Sequence, residues 1–231
     1  MKLLLFDIDG TLLRGGPARE SFRCALVAVY RTAGGIDGYP FSGKTDGQIA
    51  RELLRGAGLT DAEIDAAMPA LWETYLAELK SRLEAMPMHV LPGVRELLGA
   101  LEERSDLAYL GLVTGNLAGG ARLKLESAGL AGRFPVGGYG SDSESRDELP
   151  PIAIGRAAER WGVRFAREDV VLIGDTPLDI ASGRAHSVRS VAVATGRFDA
   201  DALRVAGADH VLDDLSDTER VLDLLIGWRA D

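Results

Sequence analysis

Cysteine occurs once in this 231-residue chain, at Cys24, so no intrachain disulfide can form. Its neighbours Phe22 and Leu26 place it on a helix-like stretch, where a lone cysteine reads as a small buried apolar residue. Histidine is almost as scarce: His89, His186 and His210 have no metal-ligand spacing, which excludes a histidine-based zinc centre. Positive charge is in deficit. Lys and Arg number 26 against 35 Asp and Glu, for a formal net charge of -9. Non-specific binding to nucleic acid or to an anionic membrane needs the opposite sign, so neither partner is expected. A small anionic substrate needs only a local positive site. No apolar run approaches the ~20 residues that span a bilayer. The N-terminus lacks the basic region, longer apolar run and small-residue cleavage site of a signal peptide, so cytoplasm is the expected compartment. Oligomeric state leaves no signal.

Hydrophobic residues at 46% and charged residues at 26% are ordinary for a globular chain with a real core. The most informative stretch is Leu3-Leu4-Leu5-Phe6-Asp7-Ile8-Asp9-Gly10-Thr11. Four apolar residues run straight into two carboxylates spaced by one residue. The run predicts a strand buried on both faces, as in a parallel sheet. Side chains alternate along a strand, so Asp7 and Asp9 project to the same side at its carboxyl end. In open α/β sheets that edge is where ligands bind. Unpaired buried charges cost several kcal/mol, so a cation or a proton is required nearby.

From residue 18 to 83 the pattern is helical with no convincing strand. Gly43-Lys44-Thr45-Asp46 leads into one helix, and Thr60-Asp61-Ala62-Glu63 is a capping box for the next, with a kink expected at Pro69. On that helix Trp72 and Tyr75 read first as packing residues. After Val90-Leu91-Pro92-Gly93 strands and helices alternate, with strands expected over 108–114, 134–139, 170–174, 190–194 and 210–212 and a last helix over 217–228. Such alternation means a parallel sheet covered on both faces. The expected architecture is an α/β, Rossmann-like core of residues 1–14 and 88–231, with an all-α insert over 15–87. Gly137-Gly138-Tyr139-Gly140 is a loop, because no strand–GxGxxG–helix unit surrounds it.

Three further groups fall at the same sheet edge. One strand ends in Thr114-Gly115-Asn116, and another in Gly174-Asp175-Thr176-Pro177-Leu178-Asp179. A loop rich in Ser, Asp and Glu carries Arg146. Asp7, Asp9 and Asp175 form an oxygen-donor cluster suited to a hard divalent cation, Mg²⁺ above all. Thr114 offers a hydroxyl, and Gly115 and Asn116 offer backbone N–H groups at a helix N-terminus, which bind phosphate oxygens. Arg146 supplies fixed positive charge. Carboxylate nucleophile, Mg²⁺, hydroxyl and cation together make a phosphoryl-transfer site.

On these residues the chain resembles the haloacid dehalogenase superfamily of phosphatases, in its phosphoglycolate-phosphatase-like branch with a helical cap inserted after the first motif. Asp7-Ile8-Asp9-Gly10-Thr11 matches the first family motif, Thr114 the second, and Gly174-Asp175-Thr176-Pro177-Leu178-Asp179 the fourth. The resemblance implies a Mg²⁺-dependent phosphatase acting on a small phosphorylated metabolite. In it Asp7 is the nucleophile and Asp9 the general acid and base. Asp7 and Asp175 bind the metal by side chain and Asp9 by its backbone carbonyl, with Asp179 acting through a metal-bound water or as a hydrogen-bond partner. Lys44 and Thr45 lie in the loop that reads the substrate, and Thr114, Gly115 and Asn116 hold the phosphoryl group.

The third motif departs from the family, where a lysine precedes a proline. Here that place reads Arg146-Asp147-Glu148-Leu149-Pro150. Arg146 is the natural substitute. Lys124 is the rival, expected about two turns into a helix and otherwise a surface residue. A phosphomutase uses the same residues and stays open as an alternative. A non-catalytic phospho-accepting protein is disfavoured because every acid is retained. A dehalogenase needs neither Asp9 nor Asp175.

Overall fold

Leu3, Leu4, Leu5 and Phe6 are fully buried in the first strand, β1 (Lys2–Phe6). Alternate residues serve opposite faces. Leu4 and Phe6 join one apolar cluster, while Leu3 and Leu5 join another. That is why the run shows no polar alternation. A computed structural model describes residues 1–227 of the chain.

Six strands form one parallel sheet in the order β5-β4-β1-β6-β7-β8, where β4 is Ala108–Thr114, β5 Gly137–Tyr139, β6 Val170–Gly174, β7 Arg189–Val193 and β8 His210–Leu212. β1 sits in the middle, with Phe6 paired to Leu112 on one side and to Ile173 on the other. The carboxyl ends of β1, β4 and β6 therefore lie side by side. Asp7 and Asp175 follow β1 and β6 directly, and Thr114 ends β4. One cluster, with Val136, Leu149, Ala153 and Ala157, fills the face under α6 (Leu149–Trp161). The other face is covered by α4 (Val94–Glu102), α5 (Ala118–Ser127) and α8 (Thr218–Ile226). The extended segment expected from residue 134 is a strand only over Gly137–Tyr139, because β5 is an edge strand paired over three residues. Of the last expected helix, Trp228 lies outside the described residues.

Between β2 (Leu13–Arg14) and β3 (His89–Val90), which pair antiparallel, lie three α-helices, α1 (Ala18–Tyr30), α2 (Asp46–Gly56) and α3 (Asp61–Leu83), and one short 3-10 helix, Ile36–Gly38. The expected caps are in place. Thr45 accepts the Gln48 N–H, and Thr60 and Glu63 form the reciprocal box. α3 runs on through Pro69. α1 packs on α3 through Phe22, whose ring meets Tyr75 edge-on with centroids 5.0 Å apart. No helix among the described residues is long and apolar enough to cross a membrane.

Candidate active site

Gly10 makes the turn after β1. Its φ of +93° favours glycine, and a Cβ there would collide with the Asp175 carboxylate. The turn brings the first acids against the fourth-motif segment. That segment is shaped by its own helix start. Pro177 takes the first turn of α7 (Pro177–Ala185), and Thr176 and Asp179 cap each other reciprocally. Capping turns Asp179 back towards the strand ends. Carboxylate oxygens of Asp7, Asp175 and Asp179 consequently lie within 4.8 Å of one another. All three residues are buried.

Arg146 reaches this triad from the loop before α6. Its Nη2 lies 3.4 Å from Asp7 Oδ1 and bonds Asp179 Oδ1, and its Nη1 donates to the Gly43 carbonyl at 3.0 Å. Three buried carboxylates meet one guanidinium. Burial pushes Asp7 up to about 7, with Arg146 opposing and Asp179 and Asp9 adding. Burial also pushes Asp175 up to about 9, helped by the charges of Asp179 and Asp7 and opposed by Arg146. The cluster thus has room for positive charge, and its donors are all oxygen. A hard divalent cation fits it.

Asp9 has different company. Lys124 Nζ contacts both its oxygens, at 2.8 and 2.6 Å, and Asn116 Nδ2 donates to Oδ2 at 2.7 Å. Lys124 also donates to Asn116 Oδ1 at 2.6 Å. The surface reading of Lys124 is overturned, since the residue is 3% exposed. Side chains on a helix lean towards its N-terminus, and α5 begins at the sheet edge. A long side chain in its second turn therefore reaches back to the strand ends. Sequence reasoning set Arg146 and Lys124 as rivals, whereas the structure puts both in the site, on different acids.

Thr114 is fully buried, and its Oγ1 accepts from Asn116 Nδ2 at 2.8 Å and Asn116 N at 3.4 Å. Its own proton is thereby left free for a further acceptor. A Cβ on Gly115 would collide with the Lys44 carbonyl, so glycine lets the helical insert come down on the core. A cavity of about 260 Å³ lies between them. Asp7, Asp9, Thr114, Gly115, Asn116, Lys124 and Arg146 line it from the core, and Lys44 from the insert. Lys44 is engaged there by Glu52 at 2.6 Å and the Tyr39 hydroxyl at 2.8 Å. Thr45 does not line the cavity. It is fully buried, and besides capping α2 it donates to the Glu144 carbonyl at 2.8 Å, joining insert to core.

Among the cavity residues that the sequence did not mark as site residues are Arg19, Asp46 and Tyr75. Asp46 sits one position after an N-cap, where acids are common for helix-dipole reasons alone, so nothing marked it out.

The chain matches the haloacid dehalogenase-like hydrolase family over residues 1–187. It belongs to that family of hydrolases. A phosphoglycolate phosphatase of Rhodospirillum rubrum is 27% identical over 227 residues, covering 93% of this chain and 88% of the relative. A hydrolase from Pseudomonas syringae superposes with a TM-score of 0.73 at 22% identity, covering 97% of this chain and 99% of the other. A Thermotoga maritima protein described as a candidate β-phosphoglucomutase gives a TM-score of 0.61 at 21% identity, over 97% and 100% of the two chains. The two structural likenesses speak for the α/β fold. The curated relative is a phosphatase by name, and this chain is an enzyme of the same hydrolase family.

The two cations invite a direct comparison. Arg146→Ala is expected to slow turnover by about 10²–10³, by analogy with the loss of one charge-stabilising donor at a reacting centre. Arg146→Lys should recover part of the loss, because charge is kept and the fork is not. Lys124→Ala frees the Asp9 carboxylate and should also cost rate. Steady-state rates at one Mg²⁺ concentration check this. A near-wild-type Arg146→Ala would place the third-motif function on Lys124 alone.

Proposed function

We propose that this enzyme is a Mg²⁺-dependent phosphatase that hydrolyses small phosphate monoesters through a phospho-Asp7 intermediate, in a cavity closed by the 15–87 segment acting as a cap. The observation that carries the reading is Asp7, buried at the cavity floor beside Asp175, Asp179 and Arg146, with Asp9 lining the same cavity. An Asp7 oxygen attacks phosphorus, and the bond from phosphorus to the ester oxygen breaks. Asp9 gives the leaving oxygen its proton, so a neutral alcohol departs. Asp9 then accepts a proton from water, which attacks the same phosphorus. The bond from Asp7 to phosphorus breaks, restoring the carboxylate and releasing inorganic phosphate. Lys124 and Asn116 hold Asp9 in place for both proton transfers, and Thr114 and Arg146 hold phosphoryl oxygens.

Asp7 and Asp175 would hold the metal, with the Asp9 carbonyl and Asp179 completing its surroundings. Bound Mg²⁺ supplies charge neutralisation for the phosphoryl oxygens. The small cavity under the insert favours a metabolite over a polymer, with no nucleic acid or membrane partner. Phosphoglycolate is the first ester to try, since the matched relatives are named for it. The test is a panel of phosphorylated metabolites assayed for Mg²⁺-dependent phosphate release. Release to water supports a phosphatase, whereas return of the phosphoryl group to a sugar marks a phosphomutase. No turnover of any ester would end the reading.

A further inference from the structure

Of the polar residues that line the cavity from the insert, two are buried and left unused by the chemistry above. Tyr75, on α3, is 1% exposed, and its contact with Phe22 fixes the ring. It lines the cavity, and its hydroxyl has no hydrogen-bond partner among the described residues. Asp46, the first residue of α2, is buried and lines the same cavity. Its Oδ2 accepts the Leu117 N–H at 2.8 Å, and its own N–H donates to the Gly115 carbonyl at 2.8 Å. Those two bonds lock the carboxyl in place. Its Oδ1 has no partner among the described residues.

Neither atom is among the fully enclosed polar atoms left without a partner, so both are open to the cavity, whose contents must pair them. Packing alone explains neither group, since Phe at 75 would keep the ring contact and Asn at 46 would keep the Leu117 bond. The protonation states are also set. Burial, with the charges of Asp46 and Asp9 adding, holds the Tyr75 phenol well above its ordinary range, so it stays an O–H donor. Burial raises Asp46 to about 6, against the opposing charge of Lys124, so at neutral pH it is an acceptor. A fixed donor and a fixed acceptor facing one cavity complement a hydroxyl, which gives one hydrogen bond and takes another.

A carboxylate suits this place poorly, because it cannot donate and meets the charge of Asp46. The cations on the same side are already engaged. Lys44 is paired with Glu52. Arg19 donates to the carbonyls of Ile36 at 2.7 Å and Tyr39 at 3.1 Å, with its guanidinium 4.0 Å from the Phe41 ring centroid.

We propose that Tyr75 and Asp46 read a free hydroxyl on the leaving group, so that the preferred substrates are phosphorylated polyols or sugars, not phosphorylated carboxylic acids. The inference rests on the phosphatase reading and goes beyond it in substrate class. Tyr75 donates to the hydroxyl oxygen, and the hydroxyl donates to Asp46 Oδ1. An ester lacking the hydroxyl leaves both groups unpaired, and sites built this way discriminate strongly against such analogues.

The experiment compares matched esters: 2-hydroxyethyl phosphate with ethyl phosphate, glycerol 3-phosphate with propyl phosphate, and phosphoglycolate beside them. p-Nitrophenyl phosphate serves as the generic ester, and all are assayed with Mg²⁺. In the wild type, at least one hydroxylated ester should exceed its deoxy counterpart by at least about tenfold in kcat/KM, and should exceed phosphoglycolate. Tyr75→Phe and Asp46→Asn should each pull the hydroxyl-to-deoxy ratio towards one, and losses common to all esters cancel in that ratio. Asp46→Asn should also raise phosphoglycolate relative to ethyl phosphate, because a like charge is removed. Turnover of p-nitrophenyl phosphate with flat ratios, or ratios unmoved by Tyr75→Phe, overturns the hydroxyl reading alone. No Mg²⁺-dependent hydrolysis of any ester overturns the phosphatase reading and this one with it.

Discussion

Asp7→Asn is expected to abolish turnover and leave the fold standing. An amide cannot form the acyl-phosphate, and no other carboxylate occupies the same place at the end of β1. Asp9 is committed to Lys124 and Asn116, and Asp175 and Asp179 lie against the loop and helix that follow β6. The loss should be at least about 10⁴-fold in kcat, the scale of removing a nucleophile elsewhere. Stability should move the other way or not at all. Asp7 is 4% exposed, among two other carboxylates and one arginine, and a neutral amide of the same shape avoids a buried charge. Phosphate release and a thermal melt in chelator, measured on one sample, read both effects. Residual activity above about one per cent would remove Asp7 from the nucleophile's role. A collapsed melting temperature would instead make the carboxylate structural.

Much of the sheet was legible because its strands are buried on both faces. The apolar run 3–6 stops abruptly at an acid, and the run 170–173 reaches one after a single glycine, so the change from Phe6 to Asp7 and from Gly174 to Asp175 marks the sheet edge. Thr176-Pro177-Leu178-Asp179 carries its own helix-start chemistry, so the position of Asp179 follows from local rules. The pair β2–β3 has two residues per strand, too short for periodicity, and left no trace in the sequence. The reach of Lys124 was missed because a residue count measures backbone, while the side chain adds length directed back along α5. Asp46 and Tyr75 were hidden for a related reason. Each satisfies an ordinary rule, as a first-turn acid and a helix-face aromatic. Nothing in a sequence tells which part of a buried face borders a void. That depends on how the insert sits over β4, and the glycines that permit the approach, Gly43, Gly47 and Gly115 among them, carry no mark of it in the sequence.

Removing the metal is expected to abolish activity and to make stability fall as pH rises. In the metal-free protein burial holds Asp7 at about 7 and Asp175 at about 9, against 3.8 for the free group. The folded state then binds more protons than the unfolded state between those limits, so unfolding releases protons and stability declines with pH. The contribution is full below about pH 4 and is lost as pH passes through 7 and then 9. Mg²⁺ at the proposed site would bind the deprotonated acids and so compete with protons, and its stabilisation should grow over the same interval. At a hundred times its dissociation constant it should add about 2.7 kcal/mol, or about 5–11 °C in a chain of this size. Melts at pH 6 and pH 8.5, each in chelator and in Mg²⁺, check the sign. A larger Mg²⁺ shift at pH 6, or full activity in excess chelator, would contradict it. Ca²⁺ separates binding from catalysis in the same assay. It should raise the melting temperature, because the oxygen donors suit it, and still inhibit. It accepts more ligands in looser geometry than Mg²⁺, so both Asp7 oxygens can be drawn onto it and neither is left to attack phosphorus.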